Sequence, residues 1–428
     1  MLLINLFVLL LLLGLSLSVA AALFMLGYFL DMFYAPPALT KALGHIIWDT
    51  STNFILISIP LFVMTGEILM RSGIATKLYD ALNSWVAWMP GGLLHANIAS
   101  ATLFSATSGS SVATAATIGT IALPQGRRFG YDERWFAGSI AAGGTLGILI
   151  PPSINLIIYG FLSQTSIPQL FLAGIVPGLI LALLFMLTIL VLVLFRPEWG
   201  GRRETYQWSV RFKNLIHLVP VGILFAFIVG SIYTGWATPT EAAAIGVVVA
   251  LILAGCYGGL SVGMIAKVLE GTMRTTGIIM LILFAAGFLN FALASVGLTN
   301  QLLTTIAGFD LTPMQTLFLL VLFYIIVGLF IETLSLMIIT IPLVVPLVVG
   351  LGFDKVWFGI VLIVLIEMAL ITPPVGMNLY VVQSVRGRGT LTDVMVGAAP
   401  FVVALLVLAL GLIAFPQLAL FIPQTMSN

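Results

Sequence analysis

The chain has 428 residues, of which 61% are hydrophobic and 7% charged. A soluble domain carries about a quarter of its residues as charges, so an ordinary soluble fold is excluded; the apolar residues come in blocks of about 20 or more, the length that spans a bilayer. Sixteen basic against fifteen acidic residues give a net charge of +1, without the clustered basic face that nucleic-acid binding needs, while a single cysteine (Cys256) excludes an internal disulfide and His45, His95 and His217 lack metal-ligand spacing.

In chain order, plain spanning helices are predicted near 2–30, 52–70, 168–195, 215–235, 238–258, 276–296 and 392–420. Four further apolar stretches, 91–125, 132–162, 312–350 and 354–385, are interrupted. The first basic residue is Lys41, so the opening run lacks the basic start of a cleaved signal peptide and reads as a retained membrane helix. Segments 72–89 and 298–310 are too short and polar to span and read as interfacial helices, the first with Trp85 and Trp88 at headgroup level. Residues 200–214 form a basic connector. If 91–125 and 312–350 are hairpins that enter and leave on one side, and the other two interrupted stretches cross once, 14 of the 16 basic residues fall on one face, with Lys41 and Lys355 opposite. Lys/Arg excess marks the cytoplasmic side. The first hairpin then opens to the cytoplasm and the second to the outside, with the N-terminus inside and the C-terminus outside.

The interrupted regions are copies. Gly130-Tyr131-Asp132 with Trp135-Phe136 recurs as Gly352-Phe353-Asp354 with Trp357-Phe358, and Pro124, Pro151 and Pro152 recur as Pro346, Pro373 and Pro374, all at an offset of 222 residues. The taste of Gly, Pro and Trp for membrane interfaces is the alternative, but that preference does not set a register. With the hairpins on opposite faces the repeat is inverted, an arrangement that places substrate and coupling-ion sites near the midplane of secondary transporters.

In the first hairpin the apolar run breaks at Ser105-Ala106-Thr107-Ser108-Gly109-Ser110-Ser111, seven small residues of which five are hydroxylated. Such a turn can offer hydroxyl and carbonyl oxygens to a cation, and the following helix start at Val112 offers amides to an anion; a packing face of small residues is the alternative. In the run Gly143 to Asn155, paired prolines remove two amide donors and leave upstream carbonyls free for a hard cation such as Na+. Ile371 to Asn378 repeats this opposite the second turn, Gly328 to Ser335. A simple proline kink is the alternative for either copy. Glu67, Glu241, Glu332 and Glu367 are the acids inside apolar segments. Glu332 sits in the second turn, where it can help hold a cation or carry a proton; Glu67 lies near a helix end, and Glu241, after Thr238-Pro239-Thr240, suits a helix-start cap. No Lys or Arg is expected at membrane depth, so an anionic substrate would rely on helix N-termini, hydroxyls, Asn side chains and bound cations. No lysine follows a glycine, so no Walker A loop is present. A serine-protease reading of Ser108 with His95 or His217 lacks a positioned base, and no catalytic residue is expected.

Ser108-Gly109-Ser110-Ser111, the run Gly144 to Ser153, Thr240-Glu241-Ala242-Ala243-Ala244 and Thr372 to Leu379 together resemble the large membrane subunit, the DctM type, of tripartite ATP-independent periplasmic (TRAP) transporters, over essentially the whole chain. The resemblance implies an all-α polytopic membrane protein, an inverted-repeat elevator-type transporter with two re-entrant helical hairpins and two broken helices. It implies Na+-coupled import of an organic acid across the bacterial inner membrane, with C4-dicarboxylates as the first expectation and sialic acid as the second. Partners would be a small four-helix membrane subunit and a soluble periplasmic binding protein, both expected on separate chains because the spans are used by the two repeats. Carried over, the first Na+ site would use Ser108, Gly109 and Ser110 with Gly144, Thr145, Gly147 and Pro151; the second would use Gly328, Glu332, Thr333 and Ser335 with Thr372, Pro373 and Gly376. Substrate would lie near Ser111, Asn155 and Asn378. The expected organisation is scaffold and arm at 1–90, transport elements at 91–165, connecting and second scaffold helices at 166–311, transport elements at 312–388 and a final helix at 389–428. A passive organic-anion channel, or a secondary anion transporter without a binding protein, is the alternative.

Overall fold

The computed structural model describes residues 8, 11–12, 14–15, 17–34, 39–202, 206–298, 301, 304 and 308–426. Every regular element among them is a helix: α1 Val19–Tyr34, α2 Leu43–Ser51, α3 Ser58–Arg71, α4 Ile74–Val86, α5 Gly92–Ser108, α6 Ser111–Arg128, α7 Glu133–Leu149, α8 Ile154–Ser163, α9 Ile167–Phe195, α10 Trp208–Asn214, α11 Val219–Tyr233, α12 Pro239–Cys256, α13 Val262–Ser295, α14 Pro313–Gly328, α15 Thr333–Gly350, α16 Lys355–Leu370, α17 Met377–Arg386, α18 Leu391–Ala414 and α19 Gln417–Met426, with short 3-10 turns between some of them. Five of these, α9, α12, α13, α15 and α18, are long and apolar enough to cross a bilayer singly, and the bent pairs α7–α8 and α10–α11 make seven.

The 222-residue repeat is visible in the helix boundaries. α6 and α15 both have 18 residues and start and end at that offset. α7 and α16 start at it too, each capped by an aspartate, Asp132 or Asp354, whose side chain accepts from the next two backbone amides after the first helical residue. Gly130 and Gly352 before them both adopt positive φ, 71° and 89°, a region that costs glycine nothing. The ends show the inversion. Tyr159 of α8 donates to the Lys355 carbonyl at the start of α16 (2.6 Å), whereas Arg386 at the end of α17 pairs with Glu133 at the start of α7 (3.0 Å). Each broken helix therefore begins where the other finishes.

The basic loops meet at one end of the molecule. Arg127 donates to the Arg386 carbonyl (2.6 Å), the Arg202 amide to the Phe129 carbonyl (3.0 Å), and Trp85 Nε1 to the Arg211 carbonyl (3.2 Å). Lys77 lies over the Tyr257 ring, 4.3 Å from its centroid. Lys355 stands at the other end, bonded to the Gln164 carbonyl (2.7 Å).

Several expected boundaries shift. The start of the span at 2–30 and most of 298–310 lie outside the described residues. The span at 52–70 is a turn followed by α3, anchored by Thr240 Oγ1 donating to the Phe54 carbonyl (2.9 Å). The last span ends at Ala414, and Pro416, which lacks an amide donor, separates it from α19. The largest correction is α13, which begins at Val262 rather than near 276 and runs for 34 residues; its early charges stay on an exposed helical face instead of forming a loop.

Helices α1–α3 pack with α11–α13, while α5–α8 pack with α14–α18 and with α9. In the second group the backbones touch. Gly138 of α7 lies against Gly397 of α18 so closely that a Cβ on either would overlap backbone atoms of the other helix.

Candidate hairpin-tip transport site

The first tip forms because α5 ends in Gly109, with φ 61°, and α6 restarts under a Ser110 cap whose hydroxyl accepts from the Ala113 amide (3.4 Å). It docks onto the break between α7 and α8. The Ile154 amide donates to the Gly109 carbonyl (3.4 Å), a Cβ on Gly109 would stand 2.9 Å from the Pro152 carbonyl oxygen, and one on Gly147 would stand 2.6 Å from the Ser110 carbonyl oxygen. The Ser108 and Thr114 hydroxyls share a hydrogen bond (2.8 Å), and Ser153 donates to the Ile148 carbonyl (2.6 Å). Thr145 donates to the Ala142 carbonyl within its own helix (2.8 Å). His95 is bonded to the Pro90 carbonyl (3.0 Å), away from Ser108.

The second tip is built differently. α14 ends at Gly328 and α15 starts under a Glu332 cap, whose carboxylate accepts from the Leu334 amide (3.0 Å), the Ser335 amide (3.0 Å), the Ser335 hydroxyl (2.9 Å) and the Thr333 hydroxyl (3.1 Å). An acid at a helix start is stabilised by free amides and the helix dipole. This tip docks onto the second break: the Val375 amide donates to the Leu329 carbonyl (3.3 Å), and a Cβ on Gly328 would lie 2.9 Å from Ala369 Cβ. Gly376, with φ 43°, starts α17. Gly328, Glu332, Thr333 and Gly376 surround a cavity of about 10 Å³ together with Ala369, Leu370 and Val375, which is the volume of a single water or a bare cation.

Between the two tips lies a larger cavity of about 200 Å³. Its walls include Gly109, Ser110, Ser111 and Asn155 from the first repeat, Glu332, Thr333 and Leu370 from the second, and Thr275, Ile278 and Ile279 from α13. The starts of α6 and α15 both border it; Glu332 already takes the Leu334 and Ser335 amides of α15, so the start of α6 is the one that offers amides to this space. Ser111 and Asn155 line it. Asn378 is completely buried beside it: its amide donates to the Ser111 hydroxyl (2.7 Å) and the Ala141 carbonyl (3.1 Å), and its Oδ1 is unpartnered. Thr145 lines neither cavity.

Three features escaped the sequence reading. Thr275 of α13 belongs to the cavity wall, and Arg274, expected in a loop, is an exposed residue of the same helix that does not line the cavity. Second, Arg386, with a side chain only 5% exposed, joins Glu133 and Asp393 (3.0 and 3.3 Å), while Arg127, Arg134 and Arg388 also pair with those two acids. These partners are 253 residues apart in the case of Arg386 and Glu133, so no local pattern announces them. Third, Glu67 pairs with Arg71 (2.9 Å) while its carboxyl rests on Gly271 of α13, where a Cβ would come within 2.7 Å. Glu241, by contrast, does form the anticipated capping box with Thr238.

Comparison with known proteins follows the same lines. The family described as "Tripartite ATP-independent periplasmic transporter, DctM component" matches residues 1–418. The C4-dicarboxylate TRAP transporter large permease protein DctM of Pseudomonas aeruginosa is 33% identical over 390 residues, covering 91% of this chain and 90% of that one. The sialic acid TRAP transporter large permease protein SiaM of Vibrio cholerae is 34% identical over 380 residues, 87% of each chain. The ectoine/5-hydroxyectoine large permease UehC of Ruegeria pomeroyi is 30% identical over 375 residues, 86% of this chain and 85% of that one. Among solved structures, the YdaH transporter of Alcanivorax borkumensis superposes with a TM-score of 0.64 at 13% identity, covering 94% of this chain and 98% of the other; at that identity it speaks for the fold alone. The chain is a multi-pass membrane protein that belongs to the DctM, or large permease, component family of the tripartite ATP-independent periplasmic transporters.

Proposed function

We propose that this subunit imports an organic acid across the bacterial inner membrane, driven by Na+, with the acid received from a soluble periplasmic binding protein and with a small four-helix membrane subunit as permanent partner. The observation that carries this reading is the pair of cavities: one the size of a single cation beside the second tip, the other large enough for a small molecule and bordered by the N-terminus of α6. Carbonyl and hydroxyl oxygens suit a hard monovalent cation, and helix N-termini suit a carboxylate. Na+ would be held at the first tip by Ser108, Gly109 and Ser110 against Gly144, Thr145, Gly147 and Pro151, and at the second by Gly328, Glu332, Thr333 and Ser335 against Thr372, Pro373 and Gly376. The bound cations would supply the positive charge that lets the anion enter, so substrate binding requires Na+. The hairpins and broken helices would move as an elevator against α1–α3 and α11–α13. Relatives named for C4-dicarboxylates and for sialic acid make the former our first choice of substrate class and the latter our second.

Reconstitution of both membrane subunits in proteoliposomes tests the reading. Uptake should require an inward Na+ gradient and the loaded binding protein, and should exceed the equilibrium concentration of the acid. Uptake that continues without Na+, or that stops at equilibrium as a channel would, overturns it.

A further inference from the structure

One ionisable side chain takes no part in either tip. Glu367 of α16 is fully buried, and neither of its carboxyl oxygens has a hydrogen-bond partner among the described residues. Val356 through Leu370 are all buried, and the residues one turn away on its own helix are Ile363, Val364, Leu370 and Ile371. The titratable groups on its own helix and on the helices packed against it are engaged elsewhere. Tyr159 donates to the Lys355 carbonyl, Tyr324 to the Thr340 hydroxyl and Tyr380 to the Pro374 carbonyl. Lys355 is bonded to the Gln164 carbonyl, Asp354 caps α16 and Glu332, beside Ala369 and Leu370 at the small cavity, caps α15. Glu133, Arg134, Arg386 and Asp393 belong to the ion cluster at the opposite end.

An unpartnered carboxylate ion in an apolar interior is among the costliest arrangements a protein can hold, whereas the neutral acid costs no more than any other unpaired polar group. Acids at membrane depth accordingly mark ion and proton routes. Packing does not call for an acid here. The repeat counterpart of Glu367, at the 222-residue offset, is Thr145, which satisfies its hydroxyl on its own helix. Position is the other half of the argument. Directly after Glu367 the helix tightens: the Ile371 and Thr372 amides bond to the carbonyls three residues back, Met368 and Ala369 (3.3 and 3.4 Å), and the Thr372 hydroxyl also takes the Met368 carbonyl (2.5 Å). Ala369 and Leu370 line the cation-sized cavity. The turn that follows Glu367 is therefore also a wall of that cavity.

We propose that Glu367 binds and releases one proton in each transport cycle, at a site separate from both hairpin-tip cation sites. The step is an association: a proton from water forms an O–H bond with one carboxylate oxygen while the acid is enclosed, and that bond breaks again, returning the proton to water, when the second break rearranges. The proposal rests on the reading of the chain as a coupled importer.

Two measurements test it. In proteoliposomes holding both membrane subunits and an internal pH-sensitive dye, wild-type uptake from the loaded binding protein should carry a proton signal, and its rate should change by up to about tenfold per pH unit on one limb of the profile. Glu367→Gln, checked for folding by its melting temperature, should lose the signal and flatten the profile while keeping its Na+ requirement. A silent wild type, or a variant that retains both properties, overturns the proposal. The second measurement needs neither variant nor substrate. Dicyclohexylcarbodiimide, which reacts with protonated carboxyls in apolar surroundings, should label the Glu367 peptide of the detergent-solubilised wild type, less at high pH and to a different extent with Na+ present; absent or pH-independent labelling overturns it. Failure of the importer reading would show separately, as no Na+-dependent uptake at any pH.

Discussion

The Asn378 side-chain amide reaches the Ser111 hydroxyl across 267 residues of sequence (2.7 Å). The same nitrogen donates its second hydrogen to the Ala141 carbonyl (3.1 Å). One buried side chain thereby ties α17 of the second repeat to the first hairpin and the first broken helix. Asn378→Ala should cost about 1–3 kcal/mol by leaving buried groups unsatisfied, read as a lower melting temperature, whereas Asn155→Ala should lower the melting temperature less, since Asn155 lines the cavity rather than bridging helices.

At the second tip, Gly328→Ala would bring a methyl group to 2.9 Å from Ala369. Overpacking of this kind costs about 1–3 kcal/mol. The expected result is a roughly tenfold higher Na+ concentration for half-maximal uptake, measured at saturating binding protein. An unchanged Na+ dependence would remove this contact from the cation site.

Thr275→Val removes a hydroxyl from the cavity wall while keeping its volume. Because α13 is a long helix supported along much of its length, the melting temperature should stay within about 1 °C of wild type, and the effect should appear as weaker substrate dependence of uptake. A variant with wild-type kinetics would place the substrate away from α13.

Arg386 holds Glu133 and Asp393 with a side chain that is almost wholly enclosed. Arg386→Ala leaves Glu133 and Asp393 to Arg127, Arg134 and Arg388, and the loss of its own charged hydrogen bonds should cost about 1.5–3 kcal/mol. Expression and melting temperature should both fall. Arg388→Ala, on a side chain 58% exposed, should leave both nearly unchanged, because an exposed ion pair is screened by solvent.

Glu241→Ala serves as a structural control. The loss of its capping box with Thr238 should lower the melting temperature slightly and leave the Na+ dependence of uptake unchanged.

The local chemistry of this fold was legible in the sequence. Asp132 and Asp354 cap helices, Gly130 and Gly352 turn the chain, and Pro151-Pro152 and Pro373-Pro374 break it; each of these acts on neighbouring residues, so its copy could be found by offset alone. The hairpin turns were legible for the same reason. What stayed hidden depends on contacts between distant segments. Thr275 joined the site only because α13 extends back through Lys267, Glu270 and Arg274, charges that resemble a loop in a hydropathy window but lie on an exposed helical face. Asn155 and Asn378 follow equivalent breaks and looked interchangeable, yet one lines the cavity and the other is spent on Ser111 and Ala141. Likewise nothing near Arg386 in sequence named Glu133 as its partner.

The seam between Gly138 and Gly397 bears on which changes this chain can survive. In most helix interfaces an added methyl group is absorbed by the rotation of a neighbouring side chain. Here it would meet peptide atoms, which cannot turn aside, and α18 would have to leave α7 as a unit. Since α18 also carries Asp393 to the ion cluster at its start and, near its end, the Leu412 carbonyl that accepts from Trp357 Nε1 (2.8 Å), one misplaced carbon would be transmitted along the helix to both of its ends.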